Sequence, residues 1–505
     1  MAMGQCLTHF QQLLRGKGYT PADSNTDGNQ SPEMARQTLD IPRELHDQIL
    51  GTIFGNCIGD AIGLITEFLT KPSAAALFGS HKHFEYKMKD ITAQKSYHQF
   101  RFPTADWTDD SDQMILILQS LIDNNGQIVP SDFGRRMIDW CKHGFPELGD
   151  KAGMGCGSTT FAVLHHRDYN DDPHMAAYKV WWERNFNAAP NGALMRTSIL
   201  GVHNYNNIEK VIENTIRICK VTHADPRCIA SCIAVTTCIA MMLQGRHRLK
   251  DGSYDTQALT NDAYEYAKPY LQYYKGQEEH LVGAKDIPEY PAEDLHRFMN
   301  IENIEDLDLD EKGKIGYIYK CLGAGFWAFR QKDFRKAIEA LTREAGDADT
   351  NGAVAGALLG CKVGYKRLPK TWREELIHKR WLEGHIKRYL HLGVMTAGSD
   401  DAGTDVDAAC VSDSGSGGAV GASTNPAHEV TKDSQTEKQD EVANNNKPAH
   451  TSDQSESNAA EMSYDVSHDV SHDVSHDVPQ DTEEKRTGNE KSEKDETNKK
   501  VKEST

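Results

Sequence analysis

Two short segments combine acids and hydroxyls in a pattern that suits oxygen ligation of a cation and activation of water. The first, WTDDSDQ from Trp107 to Gln113, places Thr108, Asp109 and Asp110 directly before the apolar run MILILQSLI. The second, AGDADTNGAVAGALLG from Ala345 to Gly360, places Asp347, Asp349 and Thr350 before a run of small residues. Each reads as a helix N-terminus. Acids in a first helical turn complement the helix dipole and cap free amides, so either segment alone is explained by capping. If the two starts meet, however, Asp109, Asp110, Asp347 and Asp349 repel one another, each pair at ~4 Å by about 4 kcal/mol at an effective dielectric of 20. Divalent cations offset such repulsion, and an all-oxygen set suits magnesium, manganese or calcium and disfavours zinc. The meeting of the two starts is an assumption at this level, because sequence spacing does not bring distant segments together.

The elements that must position these residues are helical. From about Pro42 to Leu392 apolar residues recur at helical spacing with little strict alternation, which predicts a mainly α-helical domain over 44–395. Two of its helices carry glycine at every fourth position: Gly51, Gly55, Gly59 and Gly63, and again Gly352, Gly356, Gly360 and Gly364. Each glycine costs a helix on the order of 1 kcal/mol against alanine, so a compensating close approach of backbones is expected along those faces. A charged segment over 251–314, including IENIEDLDLDEK, reads as an insertion or an exposed helical pair. Residues 1–43 read as a flexible polar entry, and 396–505 as a disordered, acidic, low-complexity tail with too few apolar residues to offset ordering entropy. Within that tail Ser-His-Asp-Val recurs, spacing His468, His472 and His476 by four; a slipped repeat explains this better than a metal-binding tract.

Composition narrows the function classes. The formal net charge of -19 excludes a generic binder of the phosphate backbone, so nucleic acid is not an expected partner. The 11 cysteines form no Cys-x-x-Cys pair, which argues against a disulfide framework or a structural zinc and for a reducing cytosol. The uncharged stretch from Cys228 to Gly245 approaches the length of a membrane span, but Ser231, Thr236, Thr237 and Gln244 favour a buried core helix, and no membrane span is expected. No secretory leader is visible, and MGQCLT from Met3 would fit N-myristoylation only if translation began there.

The order and wording of several segments resemble the ADP-ribosylglycohydrolase family. They are GNCIGDAIGLITEF (Gly55 to Phe68), WTDDSDQM (Trp107 to Met114), GMGCGST (Gly153 to Thr159), NGALMR (Asn191 to Arg196), THAD (Thr222 to Asp225) and GDADTNG (Gly346 to Gly352). The resemblance implies an all-α, compact orthogonal helical bundle around a central dinuclear site with two magnesium ions, manganese being possible. It implies Thr108, Asp109, Asp110, Asp347, Asp349 and Thr350 as metal ligands, with Glu67 or Asp110 as the catalytic base. It places Gly153, Gly155 and Gly157, together with Asn191, Gly192, Arg196 and His223, beside the substrate. Read without it, Glu67 is a surface acid at a helix end, His223 a cap or packed side chain, and Arg196 divides evenly between a phosphate contact and an internal ion pair.

Two departures stand out. Ser111 occupies a position where the family commonly has threonine, which preserves a hydroxyl. Asn187, Ala188, Ala189 and Pro190 replace the glycine and serine that relatives offer to a diphosphate. The function implied is metal-dependent hydrolysis of the glycosidic bond in an ADP-ribosylated protein side chain, arginine- or serine-linked, or in a small ADP-ribosyl compound. Two rival readings stay open: an inactive crystallin-like structural or ADP-ribose-binding protein, and a dinuclear hydrolase of another ribosyl or phosphate ester.

Overall fold

Two helices separated by most of the chain pack backbone to backbone, and everything at the candidate site follows from that contact. The structure, a computed structural model, describes residues 41–88 and 99–397. The readings of the N-terminal entry, the myristoylation pattern, the tail and its histidine repeat fall outside the described residues. In chain order the helices are α1 (Arg43–Gly63), α2 (Lys71–Phe78), α3 (Asp109–Asp123), α4 (Pro130–His143), α5 (Ser158–Leu164) and α6 (Pro173–Glu183). There follow α7 (Ser198–Val202), α8 (Ile208–Cys219), α9 (Pro226–Leu243), α10 (Thr256–Ala267), α11 (Tyr273–Gln277) and α12 (Ala292–Met299). The last are α13 (Ile318–Arg330), α14 (Phe334–Glu344), α15 (Ala348–Val363), α16 (Lys370–Glu375) and α17 (Lys379–Ala397). Among the described residues, extended pairing is confined to isolated bridges, Pro190 with Tyr317 and Arg248 with Tyr254, so the fold is all-α.

The glycine series explains the close contact. A Cβ added at Gly51, Gly55 or Gly59 of α1 would fall on the carbonyl oxygen of Gly360, Gly356 or Gly352 of α15, and the reverse holds for those three glycines. The pairing descends in one helix as it rises in the other, so α1 and α15 are antiparallel. Its last member sets Gly63 against Ala348, which fixes the start of α15 beside the end of α1. Gly356→Ala is therefore expected to destabilise the fold. Alanine alone favours a helix by about 1 kcal/mol, whereas overpacking against unyielding backbone costs about 1–3 kcal/mol. A lowered urea midpoint checks this; a raised one would show that the two backbones can part.

α9 is the one described helix long and apolar enough to cross a membrane, and 94% of that window is buried inside the protein. Its apolar surface is consumed by packing against α8, α10 and α15. The charged segment 251–314 differs from the expected exposed pair. Leu259, Ala263, Tyr274, Leu295, Met299 and Leu309 are buried, while Glu302, Glu305, Asp306 and Asp308 face outward. The acids that dominate its composition lie on one side, and the other side packs into the core. The end of this segment also reaches the second acidic start: a Cβ at Gly346 would meet the Leu309 carbonyl, so the left-handed Gly346 (φ +70) lies against it.

Candidate metal centre

α3 begins as its sequence requires. Thr108 is extended and caps it through a 3.5 Å bond from the Asp110 amide, with Asp109, Asp110 and Asp112 in the first turn. At the start of α15, Asp347 occupies the cap position but makes no capping bond. Its Oδ2 instead accepts from Asn191 Nδ2 at 2.7 Å. Capping thus does not explain the second acidic start.

The two starts converge. Ligand-capable oxygens of Glu67, Asp347 and Asp349 lie within 4.8 Å of one another, and all three residues are buried. Asp110 joins them: its side chain bonds Thr350, and the carboxylates of Asp347 and Glu67 act on it. Asp109 is acted on by Asp110, Asp60 and Glu67, with Oδ2 accepting from Gln113 Nε2 at 2.7 Å and Oδ1 directly against Gly155. Gly155 has φ +98, and any side chain there would collide with that carboxylate. Glu67 is carried by the turn after α1, which is clasped to the second start by Phe68 N to Gly346 O (2.8 Å) and Gly346 N to Leu69 O (3.0 Å). The clasp holds Phe68 in the left-handed region at φ 62, an uncommon conformation for a bulky residue.

The floor of the cluster is Asp60, which sequence reasoning did not assign. It is fully buried on α1 and accepts from Thr108 N (3.0 Å) and Oγ1 (3.0 Å), and from Ser111 N (3.1 Å) and Oγ (2.6 Å). An acid inside the otherwise apolar GNCIGDAIG helix was the available signal. Ser111 therefore keeps the hydroxyl role expected of it by holding Asp60. Asp60→Asn would set an amide N–H₂ against these donors, so a loss of about 1–3 kcal/mol in unfolding free energy is expected, read by urea denaturation. An unchanged midpoint would count against this bonding.

Electrostatics distinguishes this cluster from a set of caps. Burial first, then neighbouring carboxylates, push Asp60, Asp109 and Asp349 well above the usual carboxylate range. Burial and Asp347 raise Asp110 to about 8, and burial raises Asp347 to about 6. The groups acting most strongly on these five are other carboxylates and hydrogen-bond donors, with no lysine or arginine among them. Asp110 Oδ1 is buried without a hydrogen-bond partner. An all-oxygen set, uncompensated negative charge and an orphaned carboxylate oxygen fit a hard divalent cation. Asp112, in the same turn, faces elsewhere and accepts from Trp107 Nε1 (2.8 Å) and Trp140 Nε1 (2.9 Å).

The residues expected at the substrate divide. Asn191 is tied to Asp347, and Gly192 faces the His223 ring, both next to the cluster. Gly153 does not offer its amide to phosphate, because that N–H donates to Trp140 O at 2.8 Å. Gly157 opens onto empty space before α5. Among the described residues Arg196 makes no ion pair. It is fully buried, and bonds Gln113 Oε1 (2.9 Å) and Thr222 Oγ1 (2.7 Å). A buried guanidinium whose terminal nitrogens bond neutral acceptors is invisible to sequence, where arginine suggests an anion.

The chain is 22% identical over 348 residues to an ADP-ribosylarginine hydrolase of Serratia proteamaculans (strain 568), covering 68% of this chain and 80% of that protein. It is 22% identical over 356 residues to the ADP-ribosyl-[dinitrogen reductase] glycohydrolase of Rhodospirillum rubrum, covering 70% and 98%. A solved ADP-ribosylglycohydrolase-related protein complex has a TM-score of 0.48 at 23% identity, over 70% of this chain and 99% of that one. The ADP-ribosylglycohydrolase profile matches residues 42–398, from the start of α1 to the end of α17, and the chain belongs to that family.

Proposed function

We propose that this protein is a metal-dependent hydrolase that cleaves the glycosidic bond of ADP-ribosylated side chains and so reverses ADP-ribosylation. The observation that carries the reading is the buried convergence of Asp347 and Asp349 with Asp110, from two helix starts far apart in sequence, and with Glu67 from the turn after α1. Thr108, Asp109, Asp110, Asp347, Asp349 and Thr350 would hold two magnesium ions, or manganese, which supply charge compensation and a template for ribose hydroxyls and water. Glu67, or Asp110 through its unpartnered Oδ1, takes the proton of the attacking water as general base. Asn191 steadies Asp347, and Asp60 holds Thr108 and Ser111 so that α3 presents its acids in one orientation. Burial of the acids keeps bulk water from screening them, which strengthens their action on positive charge developing at the ribose.

The name of the Serratia proteamaculans relative makes the arginine linkage the first to assay. Release of free ADP-ribose from arginine-linked peptide, with magnesium and not in chelator, is the expected result; serine-linked peptide serves as the comparison. Binding of ADP-ribose without release from either would instead support an inactive binding protein. Asn187, Ala188, Ala189 and Pro190 in place of the glycine and serine that relatives offer to a diphosphate, with the Gly153 amide committed to Trp140 O, support the second rival, hydrolysis of another ribosyl or phosphate ester. Turnover of such small esters in preference to both peptides would establish it.

A further inference from the structure

A continuous side-chain chain leaves the acidic cluster and ends on a buried imidazole. Gln113 Nε2 donates to Asp109 Oδ2 (2.7 Å), so its Oε1 faces away and accepts from Arg196 (2.9 Å). Arg196 can only donate, and its second terminal nitrogen donates to Thr222 Oγ1 (2.7 Å). The Thr222 hydroxyl proton must then find an acceptor. His223 Nδ1, 2.7 Å away, is its acceptor among the described residues. A ring nitrogen that accepts carries no proton, so in the neutral ring the proton sits on Nε2. Arg196 donates both ways, to Gln113 and to Thr222, so the guanidinium fixes the orientation of the amide on one side and of the hydroxyl on the other.

We propose that Gln113, Arg196 and Thr222 are positioning residues that fix His223 with its proton on Nε2, and so present a hydrogen-bond donor on the Gly192 side of the site. Nε2 is buried and has no hydrogen-bond partner, a costly state for a donor in a native fold. A Cβ at Gly192 would stand 3.2 Å from it, so glycine is what leaves the approach to Nε2 open. The partner that fits is an anionic or hydroxyl oxygen of the ligand, which accepts this N–H. Burial, and then the nearby Arg196 and Arg184, hold the ring well below the ordinary histidine range, which keeps it neutral. Arg196 thus acts at a distance from substrate through Thr222, and its buried charge serves orientation instead of ion pairing.

The inference rests on the proposed function for the identity of the ligand and on geometry alone for the tautomer, and the two are separable. In the full chain labelled with ¹⁵N-histidine, His223 is expected to be the Nε2–H tautomer. Thr222→Val keeps the shape and removes the hydroxyl; it is expected to lose that preference and to weaken ADP-ribose binding roughly tenfold, with Thr222→Ser restoring both. Gly192→Ala is expected to weaken ADP-ribose binding while leaving the tautomer unchanged. An Nδ1–H signal in the unsubstituted protein, or Thr222→Val with tautomer and affinity intact, overturns the proposal. If the unsubstituted protein shows the Nε2–H form and Thr222→Val abolishes it, yet ADP-ribose does not bind, the relay stands and the assigned ligand fails.

Discussion

Asp349→Ala is expected to abolish release of ADP-ribose and, at the same time, to raise the thermal stability of the metal-free chain. The carboxylate is buried, and after burial itself the groups that disfavour its charge are Glu67, Asp110, Asp347 and Asp60. Alanine removes that desolvation and repulsion. It also removes a first-turn acid worth about 0.3–1 kcal/mol to the helix dipole, and the 2.9 Å bond from the Thr350 amide to Asp349 Oδ1. Repulsion by several acids at an effective dielectric of about 20 exceeds that loss. In magnesium the order reverses, because a missing ligand costs the bound form more than the roughly 10- to 100-fold typical of residues behind the ligands. Asp112→Ala is the matched control. It deletes a half-buried acid from the first turn of the other helix, but leaves two tryptophan N–H groups without an acceptor, so stability should fall with and without metal while magnesium dependence remains. Activity retained by Asp349→Ala, or a metal-free melting temperature that drops as it does for Asp112→Ala, would show that Asp349 is structural.

Why some of this was legible in the sequence and some was not comes down to the range of the signal. Helix starts are local: Thr108 before two acids and an apolar run, and Asp347 before a small-residue helix, are written in consecutive residues. The glycine ladders are local too, and their fourfold spacing foretold a backbone contact without naming the partner. The structure adds that each ladder is the other's partner, which sets the start of α15 beside the end of α1, while Asp60 of α1 holds the start of α3. Asp60 was missed because its role depends on α3 lying across α1, a fact held by neither segment alone. The ion-pair reading of Arg196 fails because side-chain charge predicts an ionic partner, whereas its terminal nitrogens bond an amide oxygen and a hydroxyl. The 251–314 segment was misjudged because average charge conceals which side of an amphipathic helix is apolar; Leu295 and Met299 are buried on a helix whose first turn is acidic.

Chelated protein is expected to lose stability as the pH rises from about 4 to about 8, and magnesium should abolish or reverse that trend. Raised carboxyl groups retain protons in the folded state that they release when unfolded, where the ordinary value near 4 applies. Between those limits the native state binds more protons than the unfolded one, so unfolding free energy falls with pH, by about 1.4 kcal/mol per pH unit for each proton retained. Asp347, raised to about 6, gives up its share first, and Asp110, raised to about 8, continues the decline. Asp112, also raised to about 8, adds to the same slope but should be indifferent to metal, being committed to Trp107 and Trp140. A cation displaces the protons of the cluster and compensates the charge they masked, so binding strengthens as pH rises. Melting temperatures at pH 5, 6, 7 and 8, in chelator and in excess magnesium, should therefore diverge with increasing pH. Parallel curves would mean that the acids are neutralised by the protein itself, and the cluster would then have no electrostatic need for a metal ion.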